Sequence, residues 1–127
     1  MTYADTVLWN WDLRDHSKPI SADNVRIRDL FTRDLQEEHF FLTSLRIEIR
    51  GLEAMDIMAR CAQLIQGGVT GDEDRAEVAE LLVRLARVIE EITAILDAVR
   101  DGCDPMFFYF TFRPVSTFSL CYFQLDD

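Results

Sequence analysis

The sequence predicts an all-α fold, and three stretches of the chain support that class. Apolar residues recur every three or four positions from Glu37 to Gln66 and again over about 72 to 101, which is the period of an α-helix. A third stretch opens with Asp104 followed by Pro105, a capping residue and then a proline at the first helical position. We therefore expect two long helices and a shorter one from Pro105.

The first long helix is apolar on more than one face. One stripe passes through Phe40, Ser44 and Ile47, and another through Leu42 and Leu45. Such a helix lies inside a larger helical body rather than on its surface. Two glycines end it, and the short connection that follows predicts antiparallel packing against the second helix.

The third stretch is rich in aromatic residues. The alternation of Phe108, Phe110 and Phe112 is also typical of a strand, but no partner strand is evident in the sequence, so we favour a helix that Pro114 kinks or stops. By contrast, residues 1 to 36 carry turn-forming residues and lack a long periodic pattern. We expect this region to connect rather than to pack.

Composition restricts the partners of the chain. Twenty-three acidic residues against thirteen basic ones give a net charge of −10, so we expect neither nucleic acid nor an anionic membrane as a partner. No apolar run approaches the roughly 20 residues that cross a bilayer. The opening MTYADTVLWNWDLRD lacks the basic start of a signal peptide, which predicts a cytoplasmic protein. The three cysteines lack paired spacing and are expected to be reduced thiols.

Few residues are candidates for chemistry by their pattern alone. His16 and His39 are the two histidines of the chain, and neither has a second ligand at metal-binding spacing. We expect His16 to be solvated and His39 to be exposed at a helix start. The Ser44 hydroxyl is expected to bond back to its own helix.

Arg113 stands at the end of the aromatic stretch and allows two interpretations. In the first, the aromatic side chains form a core and the arginine extends to the surface. In the second, they form a pocket for a flat aromatic ligand whose carboxylate the guanidinium binds in bidentate fashion. The pattern alone leaves both open.

Four segments in the same order resemble the indoleamine 2,3-dioxygenase family, haem enzymes that open the indole ring of tryptophan. They are YADTVLWNW at 3–11, KPIS at 18–21, HFFLTSLRIEI at 39–49 and DPMFFYFTFRP at 104–114. The last segment is similar to the family's DPxxFYxxxRP signature and is the most specific of the four. The resemblance implies a large helical catalytic domain, haem as cofactor, and tryptophan or a related indole as substrate.

By this resemblance, eight residues belong to the substrate site. They are Tyr3, Thr6 and Val7 around the indole, Phe40 and Ser44 on the distal side of the haem, Phe108 and Tyr109 against the substrate, and Arg113 at its carboxylate.

The family's pattern also differs from this chain. Family members are longer, with a proximal haem histidine well beyond the RP motif, and VSTFSLCYFQLDD after Pro114 does not resemble them. We therefore expect a truncated helical domain, with a connector at 1–36, the distal-side helices at 37–114 and a divergent tail at 115–127. Alone, such a chain is expected to be inactive and to bind no haem. The alternative is a non-catalytic helical interaction module, and exposed apolar surface predicts self-association.

Overall fold

The computed structural model describes residues 2–68 and 71–116, and most of them are helical, which confirms the all-α class. The helices are α1 (Leu35–Gln66), α2 (Asp72–Asp97), α3 (Val99–Gly102) and α4 (Pro105–Phe107), with π-helical segments at Ala4–Leu8 and Phe108–Phe112. No helix within the described ranges is long and apolar enough to span a membrane.

Helices α1 and α2 pack antiparallel, as predicted. Three ion pairs join them, and their partners run in opposite directions along the two helices. They are Arg50 with Glu91, Arg84 with Glu53, and Arg60 with Glu77. Between the helices, Ile57, Leu81 and Val88 form a small buried cluster.

The predicted second helix is interrupted near its C-terminal end. It ends at Asp97, and α3 follows after Ala98. The Ala98 carbonyl oxygen accepts a hydrogen bond from Asp101 N, and His39 Nε2 lies 3.1 Å from the same oxygen. Because a carbonyl only accepts, His39 donates through Nε2. His39 is therefore a half-buried contact between α1 and the α2–α3 junction, which corrects the expectation that it is exposed.

The N-terminal region packs against α1, contrary to prediction. Strands β1 (Trp11–Leu13) and β2 (Val25–Ile27) form an antiparallel pair. Val7, Val25 and Ile27 are buried in one cluster that also includes side chains of α1. Each strand is only three residues long, too short for an alternating pattern to stand out in the sequence. The proposed domain limits at 36 and 114 stay predictions, and residues 117–127 lie outside the described residues.

The aromatic stretch is helical, as predicted. Asp104 caps it, since its Oδ1 accepts from Met106 N at 2.7 Å and from Phe107 N at 3.3 Å. Pro114 does not end it, because helical geometry continues to Ser116. The aromatic stretch and α1 meet in the main core, where Phe112 is buried with Phe41.

The two cysteines within the described residues agree with the expected reduced state. Cys61 and Cys103 are free thiols, and burial, the largest cause, together with nearby carboxylates raises the pKa of the Cys103 thiol. Cys121 lies outside the described residues.

Close packing of Gly102 against His39 makes a testable prediction. A Cβ at Gly102 would lie 2.5 Å from Cγ of His39, so Gly102→Ala is expected to lower the free energy of unfolding by about 1 to 3 kcal/mol. In a His39→Ala background the same change is expected to cost less, because the ring is gone. Urea denaturation of the four proteins of this cycle measures the coupling.

Gly51 in α1 provides the matched control, since a Cβ there meets nothing within 4 Å. Gly51→Ala is expected to raise stability by about 0.5 to 1 kcal/mol. Equal effects of alanine at Gly51 and Gly102 would contradict the proposed contact with His39.

Candidate aromatic binding site

A cavity of about 290 Å³ lies between the N-terminal π-helical segment, α1 and the aromatic stretch. We call it the N-terminal cavity. Four of the eight predicted site residues line it: Tyr3, Thr6, Phe40 and Phe108. The other lining residues are Thr2, Phe31, Phe41, Phe112 and Ser116. The fold thus brings together residues from positions 2 to 116 of the chain.

Aromatic rings form most of the wall of this cavity. The ring centroid of Phe40 lies 5.0 Å from that of Phe108 and 5.5 Å from that of Phe112. Phe41 meets Phe112 nearly edge-on, with 5.5 Å between centroids and 85° between ring planes. Each such pair contributes about 0.5 to 1.5 kcal/mol beyond its area burial. The wall is therefore mostly apolar.

A second cavity, of about 360 Å³, shares Phe40 and Phe108 with the first. Tyr109 lines this second cavity, together with Val99, Arg100, Cys103 and Pro105. The pair of rings at Phe40 and Phe108 thus borders both spaces. Tyr109 lines a different cavity from Tyr3 and Thr6, a division that the sequence did not indicate.

Two predicted site residues, Val7 and Ser44, line neither of the two cavities. Val7 is 2% exposed and belongs to the main core. Ser44 Oγ donates to the Phe40 carbonyl oxygen at 3.4 Å, the bond within its own helix that was predicted. Their contact with a substrate stays a prediction.

Arg113 is exposed and lies one turn beyond Tyr109. Its guanidinium carbon is 5.7 Å from the centroid of the Tyr109 ring, within the range of a cation–π interaction. This position agrees with an arginine that extends from an aromatic cluster to the surface. Binding of a carboxylate by Arg113 stays a prediction.

Tyr3 has the most strongly altered acidity at the site. Its hydroxyl donates to Glu48 Oε1 at 2.8 Å. Burial, that hydrogen bond and the carboxylate charge together raise the pKa of Tyr3 to about 12. The phenol is therefore protonated at neutral pH.

Phe31 is a wall residue that the sequence analysis missed, and a buried carboxylate holds its loop. Glu37 is fully buried, and its side chain accepts from Phe31 N at 2.7 Å, from Thr32 N at 2.7 Å and from Thr32 Oγ1 at 2.6 Å. Asp34 caps α1 and Glu37 follows it by three residues, the spacing of a capping box. That spacing is the sequence signal that could have identified Glu37. Here, however, the Glu37 side chain bonds to Phe31 and Thr32, which precede the cap residue.

Asn10 holds the same loop from its other end. Its Nδ2 donates to Asp29 O at 2.8 Å, and its Oδ1 accepts from Asp29 N at 2.9 Å. Nδ2 also lies 3.2 Å from Thr6 O, so one side chain links the loop to the π-helical segment. Phe31 is thus positioned by hydrogen bonds on both sides of it.

The fold and this candidate site define a helical protein with a cavity lined mainly by aromatic rings. The family model for indoleamine 2,3-dioxygenase matches residues 1–119, and the chain belongs to that family.

Named relatives agree with this assignment. Indoleamine 2,3-dioxygenase of Saccharomyces cerevisiae is 31% identical over 118 residues, 89% of this chain and 25% of the relative. Indoleamine 2,3-dioxygenase 1 of Rattus norvegicus and 6-hydroxytryptophan 2,3-dioxygenase fscD of Fusarium equiseti are each 27% identical over 113 residues. Those alignments cover 89% of this chain and 26% and 27% of the relatives. The chain thus spans about a quarter of the length of these relatives.

The bonds of Glu37 predict a strong effect of a small substitution. Glu37→Gln replaces one accepting oxygen by an amide that donates toward the N–H groups of the loop. We expect the free energy of unfolding to fall by about 2 to 3 kcal/mol, measured by urea denaturation. Neighbouring Glu38 provides the control, because its contact with Arg14 is long, at 3.8 Å, and partly exposed. Glu38→Gln is expected to change stability by less than about 1 kcal/mol, and an equal loss in both variants would refute the role of Glu37.

Proposed function

We propose that this chain forms the indole-binding side of a haem-dependent dioxygenase that acts on tryptophan or a related indole. The observation that carries the proposal is the N-terminal cavity, where Tyr3, Thr6, Phe40 and Phe108 meet. Its size lies near the lower end of the range for small-molecule sites, and its rings provide stacking surfaces for a flat bicyclic ligand.

Named relatives support an indole as the ligand class. Two of them are indoleamine 2,3-dioxygenases, and a third is named for 6-hydroxytryptophan. In this proposal Tyr3 and Thr6 contact the indole, Phe108 packs on it, and Arg113 binds the carboxylate of the amino acid.

Neither histidine of the chain lines the N-terminal cavity or the second cavity. His39 Nε2 is bonded to the Ala98 carbonyl, and Nδ1 lies 2.6 Å from the position of a Cβ on Gly102, so both ring nitrogens face protein atoms. His16 is exposed beside Asp12 in the turn between the strands. No group of three or more potential metal ligands occurs within 2–68 and 71–116. We therefore propose that these residues supply substrate contacts and not iron ligation, so that the chain alone is inactive.

Two measurements test this proposal. In solution, indole is expected to bind the full chain with a dissociation constant on the order of millimolar, because one small apolar ligand offsets little of the entropy of association. Amide shifts in nitrogen-15 spectra should centre on Thr6, Phe31 and Phe108. Hemin is expected to give no stoichiometric histidine-ligated Soret band, and tryptophan no N-formylkynurenine, because a dioxygenase haem needs an axial ligand.

Variants His16→Ala and His39→Ala are the controls for the haem measurement. A stoichiometric Soret band that is lost in one of them, together with N-formylkynurenine formation, would refute inactivity. Absence of indole binding at the N-terminal cavity would refute the proposed binding function.

A non-catalytic helical interaction module is the second candidate, and exposed apolar residues along α1 and α2 favour it. Leu52, Met55 and Ile65 of α1 are each more than 60% exposed, and Leu82 and Val83 of α2 are more than 50% exposed. Surface of this kind is typical of an interface.

Exposed apolar surface predicts self-association or binding of the dye ANS by a chain separated from the rest of a larger fold. Analytical ultracentrifugation and ANS fluorescence measure the two effects. Leu52→Lys with Leu82→Lys is expected to reduce both, whereas lysine at the exposed polar residue Gln63 should leave them unchanged. A monomer that binds no ANS would contradict an interface at this apolar surface and count against the interaction module.

A further inference from the structure

The side chains around the N-terminal cavity are of only two chemical kinds. Five are phenylalanine rings and four carry a hydroxyl: Thr2, Tyr3, Thr6 and Ser116. A hydroxyl has one proton to donate and two lone pairs that accept. If the hydroxyl proton is already donated to a protein atom, only the oxygen lone pairs are left to bond with a ligand.

Two of these hydroxyls donate to carboxylates. Tyr3 Oη lies 2.8 Å from Glu48 Oε1, and Thr2 Oγ1 lies 2.9 Å from Asp5 Oδ2. An ionised carboxylate oxygen carries no hydrogen, so the proton in each bond comes from the hydroxyl. Bonds of this charge-assisted kind are stronger than those between neutral groups.

The other two hydroxyls donate to backbone carbonyls. Ser116 Oγ lies 3.0 Å from Arg113 O. Thr6 Oγ1 lies 3.3 Å from both Thr2 O and Tyr3 O. Carbonyl oxygens also only accept, so these protons too are already used within the protein.

We infer that the N-terminal cavity selects planar aromatic ligands that donate a hydrogen bond, through an N–H or O–H group, over isosteric ligands that only accept. Any polar contact that its four hydroxyl side chains make without losing a protein bond must use an oxygen lone pair. A ligand oxygen in the same place would meet a second acceptor and lose its bond to water without replacement. The inference deepens the proposed function, because it takes this cavity as the indole site.

Indole and benzofuran form the matched pair of probes. They share size and shape, but benzofuran has an ether oxygen where indole has its N–H. Benzofuran is the more apolar, so burial of apolar surface alone favours it. We expect the full chain to bind indole about 3- to 10-fold more tightly than benzofuran, the effect of one hydrogen bond. Nitrogen-15 amide shifts measure both dissociation constants and locate both ligands.

Variants then test which hydroxyls are responsible. Tyr3→Phe and Thr6→Val each remove one accepting oxygen with little change in shape, and the double variant is expected to bring the ratio of dissociation constants close to one. Thr93→Val is the control. Thr93 lies on α2 and bonds to the Ile89 carbonyl, much as Thr6 bonds within its own helical turn. This control should keep the preference for indole.

The outcomes separate the inference from the proposed function. Equal or tighter binding of benzofuran at the cavity would overturn the inference and leave the aromatic site intact. An unchanged preference in the double variant would overturn it as well. Failure of both probes to bind there would overturn both statements. Circular dichroism checks the fold of each variant. If Tyr3→Phe unfolds, the comparison of indole with benzofuran on the unaltered protein still tests the inference.

Discussion

The packing of Phe40 on Phe108 and Phe112 is the contact on which the site depends. It joins α1 to a segment almost seventy residues later in the chain, with centroid distances of 5.0 and 5.5 Å. Phe40 and Phe108 also border both cavities. One cluster of rings therefore belongs to the core and lines both cavities. A change in this packing alters stability and cavity shape together, because dense interiors transmit small shifts.

A buried carboxylate is the second constraint, and it acts through the backbone. Glu37 is removed from water, yet three donors from Phe31 and Thr32 surround it. A charge in the interior is tolerated only when such bonds replace its hydration. Since those donors belong to the loop, the same bonds that stabilise Glu37 fix the position of Phe31. The hydrogen bonds that offset the burial of Glu37 therefore also fix one wall residue of the N-terminal cavity.

The sequence predicted those parts of the fold in which local signals agree. Periodicity over many turns located α1 and most of α2, and the Asp104 cap with Pro105 located the start of the aromatic helix. The two three-residue strands escaped prediction because Val25 and Ile27 alone do not make a pattern. Other features depend on contacts between residues that are distant in the sequence. The role of His39 depends on a glycine 63 positions later, and no local signal reports such a contact.

The candidate site was predictable in its composition but not in its arrangement. Resemblance supplied Tyr3, Thr6, Phe40 and Phe108, and the structure places them around one cavity. Adjacent residues of a helix point in different directions, and Tyr109 lines the second cavity but not the N-terminal cavity. In the π-helical segment at 108–112, Phe108 and Phe112 form one pair, with 5.7 Å between ring centroids, and both line the N-terminal cavity.

Tyr109 of the same segment pairs with Arg113, the residue that follows the segment, at 5.7 Å from ring centroid to guanidinium carbon. One helical turn therefore presents an apolar pair toward the core and a cation beside an aromatic ring at the surface. π-Helical turns of this kind occur often at functional sites. An aromatic ligand with a carboxylate needs both kinds of contact within the length of one small molecule. The proposed binding of such a ligand therefore depends on a ring wall and an arginine that lie only five positions apart, from Phe108 to Arg113.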